Sequence, residues 1–175
     1  MPSILDPLVD KAAGVRKGTR WYQQAIASIA DKISARRLMT QGKLNGRPSV
    51  GRLNMFFYDP KYKKTLPYYD TFPLIMPLQA AKGGFYGLNF HYLPFAQRVK
   101  FLRQLSKYAS DKNFDRNTRY NLTGGIENNR YFKLCIKHYL FNHVRSSFLN
   151  IPANEMAIGI FLPVARFKGG TFGNR

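Results

Sequence analysis

The stretch "TFPLIMPLQAAKGGFYGLNFHYL", residues 71–93, decides the fold class. Its first half is an apolar run, "AAKGG" (80–84) is typical of a turn, and the second half alternates Tyr86, Leu88, Phe90 and Tyr92 on one face. Two extended runs joined by a glycine turn predict an antiparallel pair of strands. Because Pro73 and Pro77 cannot donate to a strand ladder, we expect the first run to be an edge strand or a strand with breaks.

The segments around this stretch predict an α+β fold. "RLNMFFY" (52–58) is another candidate strand, so residues 52–93 predict a small antiparallel sheet or barrel. About three helices are predicted, a first over 19–40 with Thr19 as a possible N-cap and two more within 95–149, namely 95–110 and 129–149. A closing strand is predicted over 155–164. Helices packed on an antiparallel sheet are an α+β arrangement.

We predict the third helix, 129–149, from apolar side chains that recur at helical spacing. They are Phe132, Ile136, Tyr139, Leu140, Val144 and Phe148. Pro152 would end this helix.

A single domain is expected over residues 19–167. The basic arm 1–18 carries two prolines and two glycines, and a glycine-rich basic tail follows at 168–175. Terminal segments of this kind often become ordered only against a partner.

Charge is the feature furthest from the ordinary. The 175 residues include 28 Lys and Arg against 9 Asp and Glu, a formal net charge of +19. Self-repulsion of this size destabilises a compact monomer, so the sequence predicts a polyanionic or acidic partner.

Features that the sequence lacks disfavour disulfide-linked, zinc-binding, membrane-spanning, secreted and cofactor-dependent proteins. Cys135 is the sole cysteine, which excludes an intramolecular disulfide and a cysteine zinc cluster. It lies near the apolar face of the predicted third helix, so we expect a small buried hydrophobic residue.

No apolar run reaches the roughly 20 residues of a membrane-spanning helix. The N-terminus does not have the pattern of a signal peptide, so we expect an intracellular product. No phosphate-binding loop is present, and we expect no cofactor.

The sequence contains few residues that are candidates for catalysis. Asp59 and Asp70 could meet across a hairpin as a metal-binding pair, which would suit a nuclease, but both also fit turns in which Asp bonds its own downstream backbone. His138 and His143 are five residues apart, which is poor spacing for a shared metal, and His91 stands alone. We therefore expect a protein that is not an enzyme and has no metal site.

Basic residues interleaved with aromatic ones suggest contacts to a polyanion or an acidic protein. The aromatic residues themselves are at core periodicity, so we expect most of them to be buried. The candidate contacts are Lys17, Arg20, Arg36, Arg37, Lys43, Arg47, Lys61, Lys63, Lys64, Lys100, Arg103, Lys107, Arg130, Lys133 and Lys137.

Three segments carry a family resemblance: "MFFYDPKYKKTLPYYDTFPLIMPL", "GGFYGLNFHYLP" and "NRYFKLCIKHYLFNHVRSSFLNIPANEMAIGIFLPVARF". Together, over roughly residues 52–167, they resemble small proteins encoded by T-even-type contractile-tailed phages. The resemblance implies a non-enzymatic structural component of the virion, made in the host cytoplasm and placed in the tail, baseplate hub or neck. Its basic arms would lock neighbouring phage proteins in a symmetric oligomeric assembly.

Two other functions remain open. A basic nucleic-acid-binding protein could act at genome ends or in packaging, touching genomic DNA through its backbone. A nuclease using Asp59 and Asp70 is the third possibility.

Overall fold

The computed structural model describes residues 19–28, 31, 33–48, 52–101, 126, 128–151, 159–162 and 164–169. The predicted arm 1–18 and the tail beyond 169 lie outside these residues, as do the candidate contacts Lys17, Arg103 and Lys107.

A six-stranded antiparallel sheet forms the centre of the protein. Its strands are β1 (Leu44–Asn45), β2 (Leu53–Met55), β4 (Leu74–Ala81), β5 (Gly84–Asn89), β6 (Ile136–Leu140) and β7 (Phe148–Ile151). They lie in the order β1-β7-β2-β4-β5-β6. A second sheet pairs β3 (Tyr69–Asp70) with β8 (Phe167–Lys168). The α+β prediction is confirmed.

The predicted hairpin is the pair β4–β5, which lies inside the sheet. Gly83 closes its turn with φ +70°, a conformation that favours glycine. Pro77 does not mark an edge, because β4 has neighbours on both sides; instead the register shifts between Pro77 and Gln79. The broken-strand alternative is therefore correct and the edge alternative is wrong. The second strand also ends earlier than predicted, since Phe90–Tyr92 form a 3-10 turn capped by Asn89.

The predicted third helix, 129–149, is wrong over most of its length. A helix, α3, spans only Arg130–Leu134, and Ile136–Leu140 then form β6, followed by a 3-10 turn and β7. Residues 136–140 pair with all of Leu88 to Gly84 on β5. Aromatic and β-branched side chains fit strands well, and this long-range pairing overrides the helical spacing of the sequence.

The predicted first helix, 19–40, is two helices. They are α1 (Thr19–Ala27) and α2 (Ala35–Gln41), and Ser34 caps α2 by accepting a hydrogen bond from the Arg37 N–H. Residues 95–101 are helical after Pro94, as predicted, and the remainder of that helix lies outside the described residues.

The predicted strand 155–164 is wrong where the structure describes it. Gly159–Phe161 form a helical turn, in which the Leu162 N–H bonds the Gly159 carbonyl. Ile160, Phe161 and Leu162 are all buried, so the segment belongs to the core without joining the sheet. The strand that does form, β8, comes later and pairs with β3.

Both faces of the main sheet are packed. Leu74 and Met76 of β4 belong to the larger core cluster, whereas Ile75 between them belongs to a second one. Alternate residues of a strand point to opposite faces, so the two clusters lie on opposite sides. The second is mainly aromatic and includes Phe56, Tyr58, Phe85, Tyr139 and Phe148.

No helix in the described parts of the chain is long and apolar enough to cross a membrane.

Candidate nucleic-acid interface

A lysine-bearing turn projects between the Asp-Pro and Leu-Pro pairs of the sequence. Lys61, Lys63 and Lys64 are all exposed on it. The turn is closed by backbone hydrogen bonds from the Lys63 N–H to the Pro60 carbonyl and from the Leu66 N–H to the Tyr62 carbonyl. We call residues 60–66 the lysine tip.

The base of the lysine tip is held against the end of the main sheet. The Asp59 N–H bonds the His143 carbonyl, and the Arg145 N–H bonds the Phe57 carbonyl at 2.8 Å. The Tyr58 hydroxyl accepts a hydrogen bond from the Leu140 N–H at 3.0 Å. Among the described residues β6 is the last strand of its sheet, and these bonds anchor residues 57–59, at the base of the tip, to the end of β6 and the turn that follows it.

A pocket of about 370 Å³ lies between the lysine tip and β6. This size falls within the roughly 300–1,000 Å³ typical of small-molecule sites. Its lining is dominated by tyrosines, so we call it the tyrosine pocket. The tyrosines that line it are Tyr58, Tyr62, Tyr68, Tyr69, Tyr92 and Tyr139. Lys61, Lys137 and His138 are its basic lining residues.

The walls of the tyrosine pocket combine ring faces with positive charge. The rings of Tyr68 and Tyr92 have centroids 5.7 Å apart, and the Lys137 Nζ lies 4.8 Å from the Tyr92 centroid. Burial raises the pKa of Tyr92 to about 12, and nearby Asp70 adds to the effect. Burial likewise raises the pKa of Tyr58 and of Tyr139. These hydroxyls therefore stay protonated near neutral pH and can donate hydrogen bonds.

Asp70 is the most deeply buried charged residue that lines the tyrosine pocket, with a side chain only 1% exposed, and we call its position the floor. Asp70 Oδ2 accepts from His91 Nδ1 at 2.5 Å and from Asn89 Nδ2 at 3.3 Å. Its Oδ1 accepts from the N–H groups of Phe72 and Arg166. Burial raises the pKa of this carboxyl, but the hydrogen bonds and the neighbouring His91 outweigh it and hold the pKa below its usual range. Asp70 is therefore a fixed negative charge at the floor.

Asp59 and Asp70 do not share a partner. Asp59 is exposed and pairs with Lys63 at 2.8 Å and more loosely with Arg145. Asp70 accepts from the N–H of Phe72 two residues downstream, which confirms the turn interpretation for that residue. In the described part of the chain, no three of His, Cys, Asp and Glu cluster as a metal site would require.

The predicted contacts fall into separate places on the surface. Lys61 and Lys137 are brought together at the tyrosine pocket although they are far apart in sequence. The exposed candidates outside the pocket and the lysine tip are Arg20, Arg36, Arg37, Lys43, Arg47, Lys100, Arg130 and Lys133.

Sequence reasoning missed several basic residues with defined contacts. The pKa of Arg98 is lowered by burial to about 10, and its guanidinium donates to the carbonyls of Leu93 and Ile160, so it ties the 159–162 turn to the core. Arg145 lies beside Asp59, and Arg166 lies over the Phe57 ring. The one sequence signal for the pocket was the density of tyrosines at 58–69. That signal does not reveal the other lining residues, which are Tyr92 after β5 and residues 137–140 on β6.

The residues earlier considered as metal ligands or nucleophiles have ordinary surroundings. His91 is buried against Asp70, and the His143 ring bonds the Asp59 carbonyl. His138 is exposed beside Tyr86. Cys135 is buried, as predicted, and burial raises the pKa of its thiol, which does not favour a nucleophile.

A family model described as phage T4 terminal DNA protecting protein matches residues 3–174. The chain belongs to this family. The phage T4 terminal DNA protecting protein family thus covers the arm and first helices as well as residues 52–167, on which the phage resemblance rested. The resemblance is confirmed for a T4-type phage protein, whereas the description of the family gives no support to a tail, baseplate or neck position. No curated protein and no solved structure gives a significant match to the chain.

Proposed function

We propose that this protein binds the ends of linear phage DNA and shields them from exonucleases. The observation that carries the proposal is the family match, which runs over residues 3–174 and has terminal DNA protection in its description. The sequence left open a basic nucleic-acid-binding protein that acts at genome ends or in packaging, and the match favours that alternative over a structural role in the tail.

The charge of the chain supports DNA as the partner. A net charge of +19 fits a dense polyanion, and the described candidate contacts are exposed lysines and arginines spread over helices, loops and the lysine tip. Such residues bind phosphates and release counterions, so they give affinity without reading sequence. Genome ends of any sequence could then be bound.

Protection of this kind needs no catalysis by the protein. Exonucleases must thread or grip a free terminus, and a bound protein that covers the last base pairs denies that access. We therefore propose that the protein is not an enzyme and acts by occupancy, which makes protection depend on protein concentration and on salt.

The test is protection of linear duplex DNA from a processive exonuclease, with protein titrated at low salt. We expect full-length DNA to persist at saturating protein and to be lost again as salt is raised. Equal degradation rates with and without saturating protein would overturn the proposal.

A matched competitor separates end binding from general DNA binding. Relaxed circular DNA of the same sequence and mass should compete poorly for the protein, whereas unlabelled linear DNA should compete in proportion to its number of ends. If the circular DNA competes as well as the linear DNA, the protein coats DNA without capping its ends.

We also propose that the protein travels in the virion with the packaged genome. Mass spectrometry of purified particles should find it there, and its detection only in infected-cell cytoplasm would contradict this part.

A further inference from the structure

The tyrosine pocket has a layout that a general phosphate-binding surface does not need. It is a bounded pocket of about 370 Å³ in which rings form much of the wall, and its lining combines two lysines, one exposed and one half-buried, with one acid whose side chain is buried. We propose that it binds one unpaired nucleotide at a DNA end, with the base inside and the phosphate at the lysines. This inference rests on the proposed function and names the part of the DNA end that is held.

The rings provide stacking surface for a base. Tyr62 is 62% exposed, so its ring is open to a partner, and the Lys61 Nζ lies 5.3 Å from its centroid. Tyr68 and Tyr92 present a second aromatic wall. Bases of any type stack on aromatic side chains, so this pocket tolerates different end sequences.

The charges that line the tyrosine pocket determine which end of the nucleotide, base or phosphate, points inward. Asp70 at the floor is ionised and has four hydrogen-bond donors around it, two from side chains and two from the backbone. A phosphate placed there would be repelled, while Lys61 and Lys137 attract it at the walls. The complementary pose has the uncharged base toward Asp70 and the phosphate outward.

Of the nucleotides in linear DNA, an unpaired terminal one needs the least free energy to enter the tyrosine pocket. Extruding a paired base from a duplex requires unstacking and unpairing, whereas a nucleotide in an overhang or a frayed end has already lost these interactions. The tyrosine pocket therefore discriminates a DNA end from the interior of a duplex, which phosphate contacts alone cannot do.

The experiment compares affinities for two duplexes that are both closed by a hairpin at one end. At the other end one is blunt and one has a short unpaired overhang. The wild-type protein should bind the overhang duplex more tightly. Tyr62→Ala should reduce this preference by about 5-fold or more, the range expected when a stacking ring is removed.

Two further variants serve as controls for Tyr62→Ala. Tyr62→Phe retains the ring and should retain the preference. Tyr131→Ala is the matched control, because Tyr131 is also an exposed tyrosine, 50% accessible, with a neighbouring cation, Arg130, at 5.9 Å, but it does not line the tyrosine pocket. Tyr131→Ala should leave the preference unchanged. Because the Tyr62 ring is exposed, Tyr62→Ala should unfold at the wild-type temperature.

The outcomes separate this inference from the proposed function. An equal affinity of the wild type for blunt and overhang duplexes, or an unchanged preference in Tyr62→Ala, overturns the pocket assignment, as expected if the pocket takes a peptide instead. Exonuclease protection by the wild type in that case would leave the proposed function standing. A wild type that prefers overhangs but protects no end would support the pocket and overturn the proposed function.

Discussion

His91 and Asp70 form a buried pair in which Nδ1 and Oδ2 are 2.5 Å apart and each side chain is 1% exposed. Because an ionised carboxylate can only accept, the proton on Nδ1 belongs to the histidine. The pair joins β3 to the turn that follows β5, and the second oxygen of Asp70 bonds the N–H of Arg166 just before β8. One side chain thus ties three segments together, and two of them, β3 and the turn after β5, contribute Tyr69, Asp70 and Tyr92 to the lining of the tyrosine pocket.

Asp70→Asn should lower the free energy of unfolding by about 1–3 kcal/mol, the cost of leaving buried donors without an acceptor. Each Asp70 oxygen receives two donors, so the amide group of an asparagine faces two donors whichever way it is turned. Urea unfolding at neutral pH measures the loss.

Asp59→Asn is the control for this change, since it alters the same group at an exposed position. Its effect on unfolding should be clearly smaller. Equal losses in the two variants would contradict the importance of the buried network.

The stability of the protein should fall in acid because of Asp70. Its pKa is below the unfolded value of about 3.9, so the unfolded chain takes up the proton first. The stabilisation is fully present above about pH 4 and is lost as the pH falls through the lower, folded pKa. Urea unfolding from pH 6 downward should show a steeper decline for the wild type than for Asp70→Asn. Parallel curves for the two proteins would contradict this assignment.

Gly84→Ala should destabilise the β5–β6 pairing. A Cβ at Gly84 would overlap the carbonyl oxygen of Tyr139, which belongs to the backbone and cannot rotate away. We expect a loss of about 1–3 kcal/mol or failure to fold, as for other overpacked sites. Gly46→Ala is the control, because a Cβ there has nothing within 4 Å. Similar thermal unfolding of the two variants would show that β6 does not pack as described.

Lysines of the tip should contribute unequally to DNA binding. Lys61→Ala and Lys64→Ala should each make the slope of log affinity against log salt less negative by about 0.9, the value for one phosphate contact on duplex DNA. Lys63→Ala should change it less, because Asp59 already neutralises Lys63 at 2.8 Å. Lys82→Ala, at the exposed β4–β5 turn, serves as the control. Binding titrations at several salt concentrations measure these slopes, and an effect of Lys82→Ala as large as that of Lys61→Ala would contradict a specific role for the tip.

Local pattern was sufficient for some elements of the fold and insufficient for others. The β4–β5 hairpin was predictable because its turn glycines and its strands are adjacent in sequence. Strand β6 was not, because Ile136, Tyr139 and Leu140 recur at helical spacing, although Ile and Tyr are also residue types that suit a strand. Residues 136–140 form a strand because they pair with β5, which lies about fifty residues earlier along the chain. Residue spacing within the segment cannot reveal this long-range partner.

The candidate site likewise has features that the sequence indicates and features that only the folded chain shows. Composition alone indicated a polyanionic or acidic partner, and the lysines of the tip were visible as a cluster in "KYKK". The buried His91–Asp70 pair and the basic residue Arg145 beside Asp59 were missed, because each depends on contacts between separate segments.

The sequence by itself determined the charge, the α+β class and the glycine turn of the central hairpin, since these depend on composition and on neighbours along the chain. Only the tertiary structure decided that Tyr62, Tyr92 and Lys137 surround one pocket, and that Asp70 lies at its floor. The physical reason is that a pocket is made by the packing of distant segments, and that packing depends on the pairing of β5 with β6 and of β3 with β8.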